Sequence, residues 1–207
     1  MEGSQKTETS SDSGHSADEP KASLSETFGG QSVIREILET ILLTVIIILA
    51  VKTVTGQFEV RGSSMEPSLH DGQYLIISKL AYWFQTPDRG EVIVFHPPTH
   101  PYEDYIKRVI GLPGETVEIR SGQISINGVQ LKEPYIASLG SYSGEWVLKN
   151  EEYFVLGDNR RNSSDSHTWG VLPRDHIVGK SWVCYWPPEY WGLTQHYDFA
   201  QPEEAKE

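Results

Sequence analysis

Three short stretches of the chain carry side chains out of keeping with plain β-structure. The first, residues 62–69, reads Gly-Ser-Ser-Met-Glu-Pro-Ser-Leu. Small residues let a backbone turn sharply and leave a hydroxyl accessible at the turn. A nucleophile at Ser64 and an ordinary Ser-rich loop both fit. The second, residues 104–114, reads Asp-Tyr-Ile-Lys-Arg-Val-Ile-Gly-Leu-Pro-Gly. As a strand it points Tyr105, Lys107 and Val109 to one face. If that face is the inner one, desolvation disfavours the ammonium of Lys107 and lowers its pKa. The free amine could then act as general base toward a serine hydroxyl. A solvated lysine on an edge strand is the plain alternative. The third, residues 157–170, is dense in Asp, Asn, Arg and Ser and follows the apolar run 153–156. It fits a solvated turn or a hydrogen-bonded scaffold that orients a catalytic group.

These stretches need a frame. After Thr55 the apolar pattern has period two: Phe58 and Val60, then runs at 74–77, 91–95, 116–119, 124–126, 146–148, 153–156 and 178–185. Alternation of this kind marks half-buried strands. Asn127-Gly128, between short apolar runs, supplies the positive-φ turn of a tight hairpin. Helix-compatible stretches in this part are few, around residues 78–84. The predicted fold is mainly β, a domain of coiled antiparallel sheets over residues 56–195, with one N-terminal transmembrane helix.

That helix falls at residues 31–55. Its window 33–54 reads Val-Ile-Arg-Glu-Ile-Leu-Glu-Thr-Ile-Leu-Leu-Thr-Val-Ile-Ile-Ile-Leu-Ala-Val-Lys-Thr-Val, which reaches the roughly 20 residues a bilayer span requires. Arg35, Glu36, Glu39 and Lys52 lie near its ends, where charges reach the headgroup zone. No small-residue cleavage site follows its apolar core, so an uncleaved anchor fits better than a removed export signal. Arg35 and Lys52 flank opposite ends, so charge bias does not orient the span. Residues 1–30, polar and acidic, bury too little surface to offset their ordering entropy and read as a disordered tail, which the resemblance drawn below implies to be cytoplasmic. Residues 196–207 read as a frayed acidic tail.

The formal net charge of −12 argues against a nucleic-acid partner, which favours a clustered basic face. Cys184 is the single cysteine, so there is no intrachain disulfide, and its strand-like setting suits a small buried hydrophobe.

Taken in order behind an N-terminal anchor, the motifs Ser-Met-Glu-Pro-Ser-Leu at 64–69, Tyr-Ile-Lys-Arg-Val-Ile-Gly-Leu-Pro-Gly at 105–114 and Gly-Asp-Asn-Arg-Arg-Asn-Ser-Ser-Asp-Ser at 157–166 resemble the type I signal peptidase family. The resemblance extends from the apolar segment to about Trp186. It implies a serine endopeptidase that removes signal peptides from exported preproteins after small residues, with Ser64 as nucleophile and Lys107 as general base. It further implies that Ser163 bonds and aims the lysine amine, while Asp165, paired with Arg160, holds the polar loop. The backbone N–H of Ser64 becomes the oxyanion donor; where some relatives carry a hydroxyl two residues earlier, this chain has Gly62. Arg161 stands where many relatives carry an acid, and His167 where many carry an arginine. Phe58, Val60, Met65, Leu69, Tyr105 and Ile106 become candidate walls of small substrate pockets, with Gly62 and Asp104 on the strands an extended substrate would join. No metal or cofactor is implied. The expected setting is the cell membrane, crossed once, with the catalytic domain on the extracytoplasmic side, the lipid bilayer as a partner and the export machinery as a candidate associate.

Other classes fit less well. A Ser-His-Asp hydrolase would draw on His167 and Asp165, but closeness in one loop does not make a relay. A self-cleaving Ser-Lys repressor would need a DNA-binding domain. A tethered, non-enzymatic β-scaffold would have no use for both Ser64 and Lys107.

Overall fold

The chain is described here from a computed structural model covering residues 28–199. The tails expected over residues 1–27 and 200–207 lie outside the described residues. The chain divides into one unit ending at Ile46 and another beginning at Ile47.

Helix α1, Phe28–Val54, runs through that division and begins ahead of the expected residue 31. Its stretch Ser32–Val54 has 23 residues, a mean hydropathy of 2.4 and no buried side chain. By length and composition it is sufficient to cross a bilayer. Its polar groups find partners along the helix itself. Thr40 and Thr44 donate their hydroxyls to the carbonyls of Glu36 and Thr40 at 2.8 and 2.7 Å, and Arg35 pairs with Glu39 at 3.0 Å. Inside hydrocarbon, such local bonds are the available way to satisfy a hydroxyl.

The unit from Ile47 is mainly β. Its strands are β1 Thr55–Glu59, β2 Tyr74–Ser78, β3 Val92–Phe95, β4 Tyr105–Gly111, β5 Thr116–Arg120, β6 Gln123–Ile126, β7 Val129–Gln130, β8 Gly144–Val147, β9 Glu152–Leu156, β10 Leu172–Pro173, β11 Ile177–Trp186 and β12 Gly192–Leu193. A short helix α2, Ser166–Trp169, follows the polar loop. The larger sheet has eight antiparallel strands in the order β1-β2-β11-β3-β4-β9-β10, with β12 on β11; the smaller has four, β7-β6-β5-β8. Strand β11 pairs with both β2 and β3 and shifts register between Ile177 and Gly179, Ser181 and Val183, and Cys184 and Trp186. Such bulges bend a strand and increase twist, which lets the large sheet coil.

The side-chain pattern explains the packing. In β3, Val92 and Val94 enter one core with Val60, Met65, Leu69 and Leu75. The alternate residues Ile93 and Phe95 enter another with Val109, Tyr153 and Val155. A strand buried on both faces must read as an unbroken apolar run, as Val-Ile-Val-Phe does. The small sheet turns Val117, Ile119, Ile124 and Ile126 onto Phe154 and Leu156. Asn127 and Gly128 take φ of 50° and 83°, the expected hairpin turn between β6 and β7.

The C-terminal boundary expected after residue 195 falls too early. The Nδ1 of His196 accepts from the Val92 amide at 3.0 Å, its Nε2 lies 2.9 Å from the Ser181 carbonyl, and the Tyr197 and Tyr135 rings sit 4.8 Å apart. Burial pushes the His196 pKa down to about 4, which keeps the ring neutral between these partners. Acidity in the residues beyond masks an aromatic anchor.

Candidate active site

The loop from Val60 to Gln73 is closed at its base by backbone bonds, Val60 N to Gln73 O at 2.8 Å and Gly72 N to Val60 O at 2.9 Å. Met65 and Leu69 are 0% and 4% exposed and root the loop in the core. Ser64, half-buried, is left at the surface of a cleft. Gly62 has φ of +80°, a conformation an L side chain adopts only with strain, and its amide donates to Asp71 Oδ1 at 2.6 Å.

The polar loop after β9 clamps this serine loop. The Asn159 amide donates to the Ser64 carbonyl at 3.0 Å, and the Asn159 side chain donates to the Ser63 carbonyl at 3.1 Å. Asn162 donates to the Ser63 hydroxyl at 2.8 Å. Gly157 packs so closely that a Cβ there would lie 2.5 Å from the Ser64 carbonyl oxygen and 2.3 Å from Ser163 Oγ. Backbone cannot yield as a flexible side chain can. Gly157→Ala is therefore expected to displace Ser64 and lower kcat by about 100-fold with a normal far-UV spectrum, measured by steady-state cleavage of a signal-bearing peptide.

Strand β4 delivers Lys107 from the opposite wall. Its Nζ lies 2.8 Å from Ser64 Oγ and 2.8 Å from the Ile106 carbonyl, in a side chain that leaves the residue only 4% exposed. Desolvation lowers its pKa to about 8, against an opposing pull from the Asp165 and Asp158 carboxylates. A neutral amine so placed directs an N–H at Ile106 and its lone pair at the Ser64 hydroxyl.

The cleft holds about 740 Å³, with Phe58 and Glu59 of β1 on one side and Tyr105, Ile106 and Lys107 on the other; Asp104 and Ser164 also border it. Over Tyr105–Lys107, β4 pairs with β3, and its pairing with β9 starts only at Arg108. Strand β1 ends the sheet. Both walls therefore present strand edges to the cleft.

Several expected placements differ. Val60, Met65 and Leu69 belong to the core and do not border the cleft; period-two alternation turns them inward while Phe58 stays at the rim. Gly62 is exposed and lies outside the lining of the cleft. Ser163 holds its hydroxyl buried and without a hydrogen bond to the amine, whose reach is taken by Ser64 and Ile106. The expected pairing of Asp165 with Arg160 is replaced by a separate set of contacts for each. Arg160 forks onto Glu133, with Nη1 to Oε2 at 2.9 Å, and its Nε donates to the Gly157 carbonyl at 2.9 Å. Asp165 accepts from the Gly157 amide at 2.9 Å, caps α2 and meets His167 Nδ1 at 2.5 Å. The other nitrogen of His167 meets Thr168 Oγ1 at 3.1 Å, so the ring's polar contacts do not include Ser64.

Arg108 and Glu133 had no part in the sequence-based site. Arg108 is wholly buried and forks onto Asp158 at 2.9 and 2.7 Å. It also donates to the carbonyls of Gly90 and Gln195 at 2.7 and 3.0 Å. A charge that needs partners from so many segments leaves no local mark, beyond the oddity of an arginine inside an apolar strand.

A mainly-β domain that sets a serine hydroxyl against a buried, readily neutralised amine in an open cleft has the chemistry of a serine peptidase. The comparisons agree. Residues 34–186 match the model of the signal peptidase family, peptidase S26. The chain is 41% identical over 180 residues to signal peptidase I of Leptolyngbya laminosa, covering 83% of this chain and 85% of that protein. It is 39% identical over 165 residues to probable signal peptidase I-2 of a Synechocystis strain, covering 76% of each. With signal peptidase IB of Staphylococcus aureus strain COL it shares 33% over 176 residues, 74% of this chain and 91% of that one. The chain belongs to the signal peptidase family, peptidase S26.

Proposed function

We propose that this peptidase removes N-terminal signal peptides from exported preproteins, with Ser64 as nucleophile and Lys107 as general base. The observation that carries the reading is the 2.8 Å contact of Ser64 Oγ with the Nζ of a lysine that is 4% exposed. An extended preprotein segment adds as a strand between β1 and residues 104–106, exchanging main-chain hydrogen bonds with both edges. Nζ takes the Oγ proton as Oγ bonds to the scissile carbonyl carbon. The resulting oxyanion is held by the Ser64 N–H, a donor of a kind worth roughly 3–4 kcal/mol. The lysine ammonium then gives its proton to the departing amine as the peptide bond breaks, leaving the signal peptide esterified to Ser64. Water, deprotonated by the same amine, attacks the ester; Oγ recovers its proton and the signal peptide leaves.

Side chains next to the cut face Phe58 and Ile106, whose bulk favours small residues there. The apolar helix supports membrane anchoring. With the catalytic domain on the extracytoplasmic side of the cell membrane, where the export machinery delivers preproteins, the anchor and the signal share one bilayer, and tethering raises the effective concentration of the cut site.

Incubating the full chain in lipid vesicles with a signal-bearing preprotein, and reading the new N-terminus by mass spectrometry, tests this. One cut after a small residue is expected, absent with Ser64→Ala. Equal cleavage by both proteins, or by neither, overturns the reading.

A further inference from the structure

Lys107 is not the only titratable group tied to the serine. Asp165, 0% exposed at its side chain, meets the imidazole of His167 at 2.5 Å, and that side chain is 21% exposed. The ring is stacked on Tyr142, with centroids 3.9 Å apart and planes 10° from parallel. The other Asp165 oxygen accepts from Gly157, whose Cα lies against the Ser64 carbonyl, and Ser64 Oγ touches Lys107. Asp165 is also the carboxylate that pulls hardest to keep a proton on Lys107.

Both charge states of the ring can be accommodated. With Nδ1–H donating to Asp165, Nε2 accepts from the Thr168 hydroxyl; with Nε2 protonated, that hydroxyl turns and accepts instead. The charged and titratable neighbours are Asp165 at Nδ1 and Tyr142 on the ring face, with the Arg160–Glu133 pair acting on Tyr142.

Building on the Ser64–Lys107 mechanism, we propose that His167 is a positioning residue that tunes Lys107 through Asp165, its ring charge setting how much of the carboxylate's field reaches the amine. A neutral ring leaves Asp165 free to stabilise the lysine ammonium. A cationic ring cancels much of that field and favours the free base. A permanent cation at this position would fix the coupling in one state.

The test uses the full chain in detergent micelles and two readouts. One is the pH–rate profile of cleavage. The other is the pH dependence of covalent labelling of the Lys107 amine by an amine-reactive reagent, followed by mass spectrometry in a Ser64→Ala background, where no catalysis is needed. His167→Arg is expected to move the acid limb of both curves down by about half a pH unit, a fraction of the 1–3 units produced by a charge in direct contact. His167→Gln, neutral at every pH, is expected to lack that shift. Should His167→Arg fold poorly, His167→Lys, a smaller permanent cation, takes its place with the same expected shift. Superimposable labelling curves overturn the proposal even if cleavage proceeds as expected. A labelling shift without any cleavage upholds the coupling and overturns the peptidase reading instead.

Discussion

Lys107→Met is expected to abolish cleavage, by about 1,000-fold or more, and at the same time to make the protein more stable. The activity loss follows from removing the atom that takes the Ser64 proton. The stability gain follows from linkage. Burial lowers the Lys107 pKa from 10.5 to about 8, so the unfolded chain binds this proton more tightly than the folded one. Stability therefore rises with pH between about 8 and 10.5, and below 8 the folded state carries the full cost of a buried ammonium, roughly 3 kcal/mol. Methionine has nearly the same length and no charge to desolvate. Against this stands the loss of two hydrogen bonds, to Ser64 and to the Ile106 carbonyl, each worth about 1 kcal/mol. A net gain of about 1–2 kcal/mol is expected at pH 7, read as a higher Tm in thermal melts of the full chain in micelles. The advantage should shrink at pH 10, where the wild-type amine is mostly neutral in the folded state and the cost of a buried ammonium is largely gone. Lys107→Arg should be equally inactive and less stable, because guanidinium keeps its charge and is bulkier. A Lys107→Met protein that melts lower than wild type at pH 7, or that still cleaves, contradicts the picture of a desolvated base.

Arg108→Met should have the opposite sign and a larger size. Arg108 and Asp158 are both 0% exposed at the side chain and are joined by a two-pronged bond. Removing one member of a buried pair strands the other charge, at a cost of about 3–5 kcal/mol. The carbonyls of Gly90 and Gln195 lose a donor as well, and the Tyr135 and Tyr197 rings lose the cation 4.3 and 5.1 Å from their centroids. Urea unfolding of the variant should show this loss in its midpoint. The double change Arg108→Met with Asp158→Leu should recover a large part of it, because no unpaired charge then remains. A midpoint unchanged in the single variant would mean that the pair is hydrated. The damage should also reach the site, since Asp158 adjoins the Asn159 amide that holds the Ser64 carbonyl.

Much of the architecture was legible in the one-dimensional pattern, and the reason is periodicity. Runs such as Tyr74–Ser78 and Glu152–Leu156 announce themselves because a strand must alternate or be wholly apolar, and neighbours in sequence suffice to show it. Asn127-Gly128 announces a hairpin because few residues tolerate its dihedrals. Helix α1 reads from composition alone. The family was carried by three motifs that lie far apart in the chain, and their order made Ser64 and Lys107 candidates.

What tertiary structure alone decided were the pairings. Nothing local in Arg160 points to Glu133, 27 residues earlier, and nothing in His196 points to Val92, 104 residues away. The family resemblance implied Asp165 as the partner of Arg160, yet Arg160 bonds Glu133 and the Gly157 carbonyl while Asp165 bonds the Gly157 amide and His167. In the same way Ser163 belongs to the right motif but keeps its hydroxyl buried and without a hydrogen-bond partner. Val60, Met65 and Leu69 stand in the right stretch but serve the core. A sequence records what each residue prefers from its own backbone and near neighbours. Which buried charge meets which counter-charge is fixed only when coiling of the sheet brings distant segments together and excludes the water that would otherwise satisfy them.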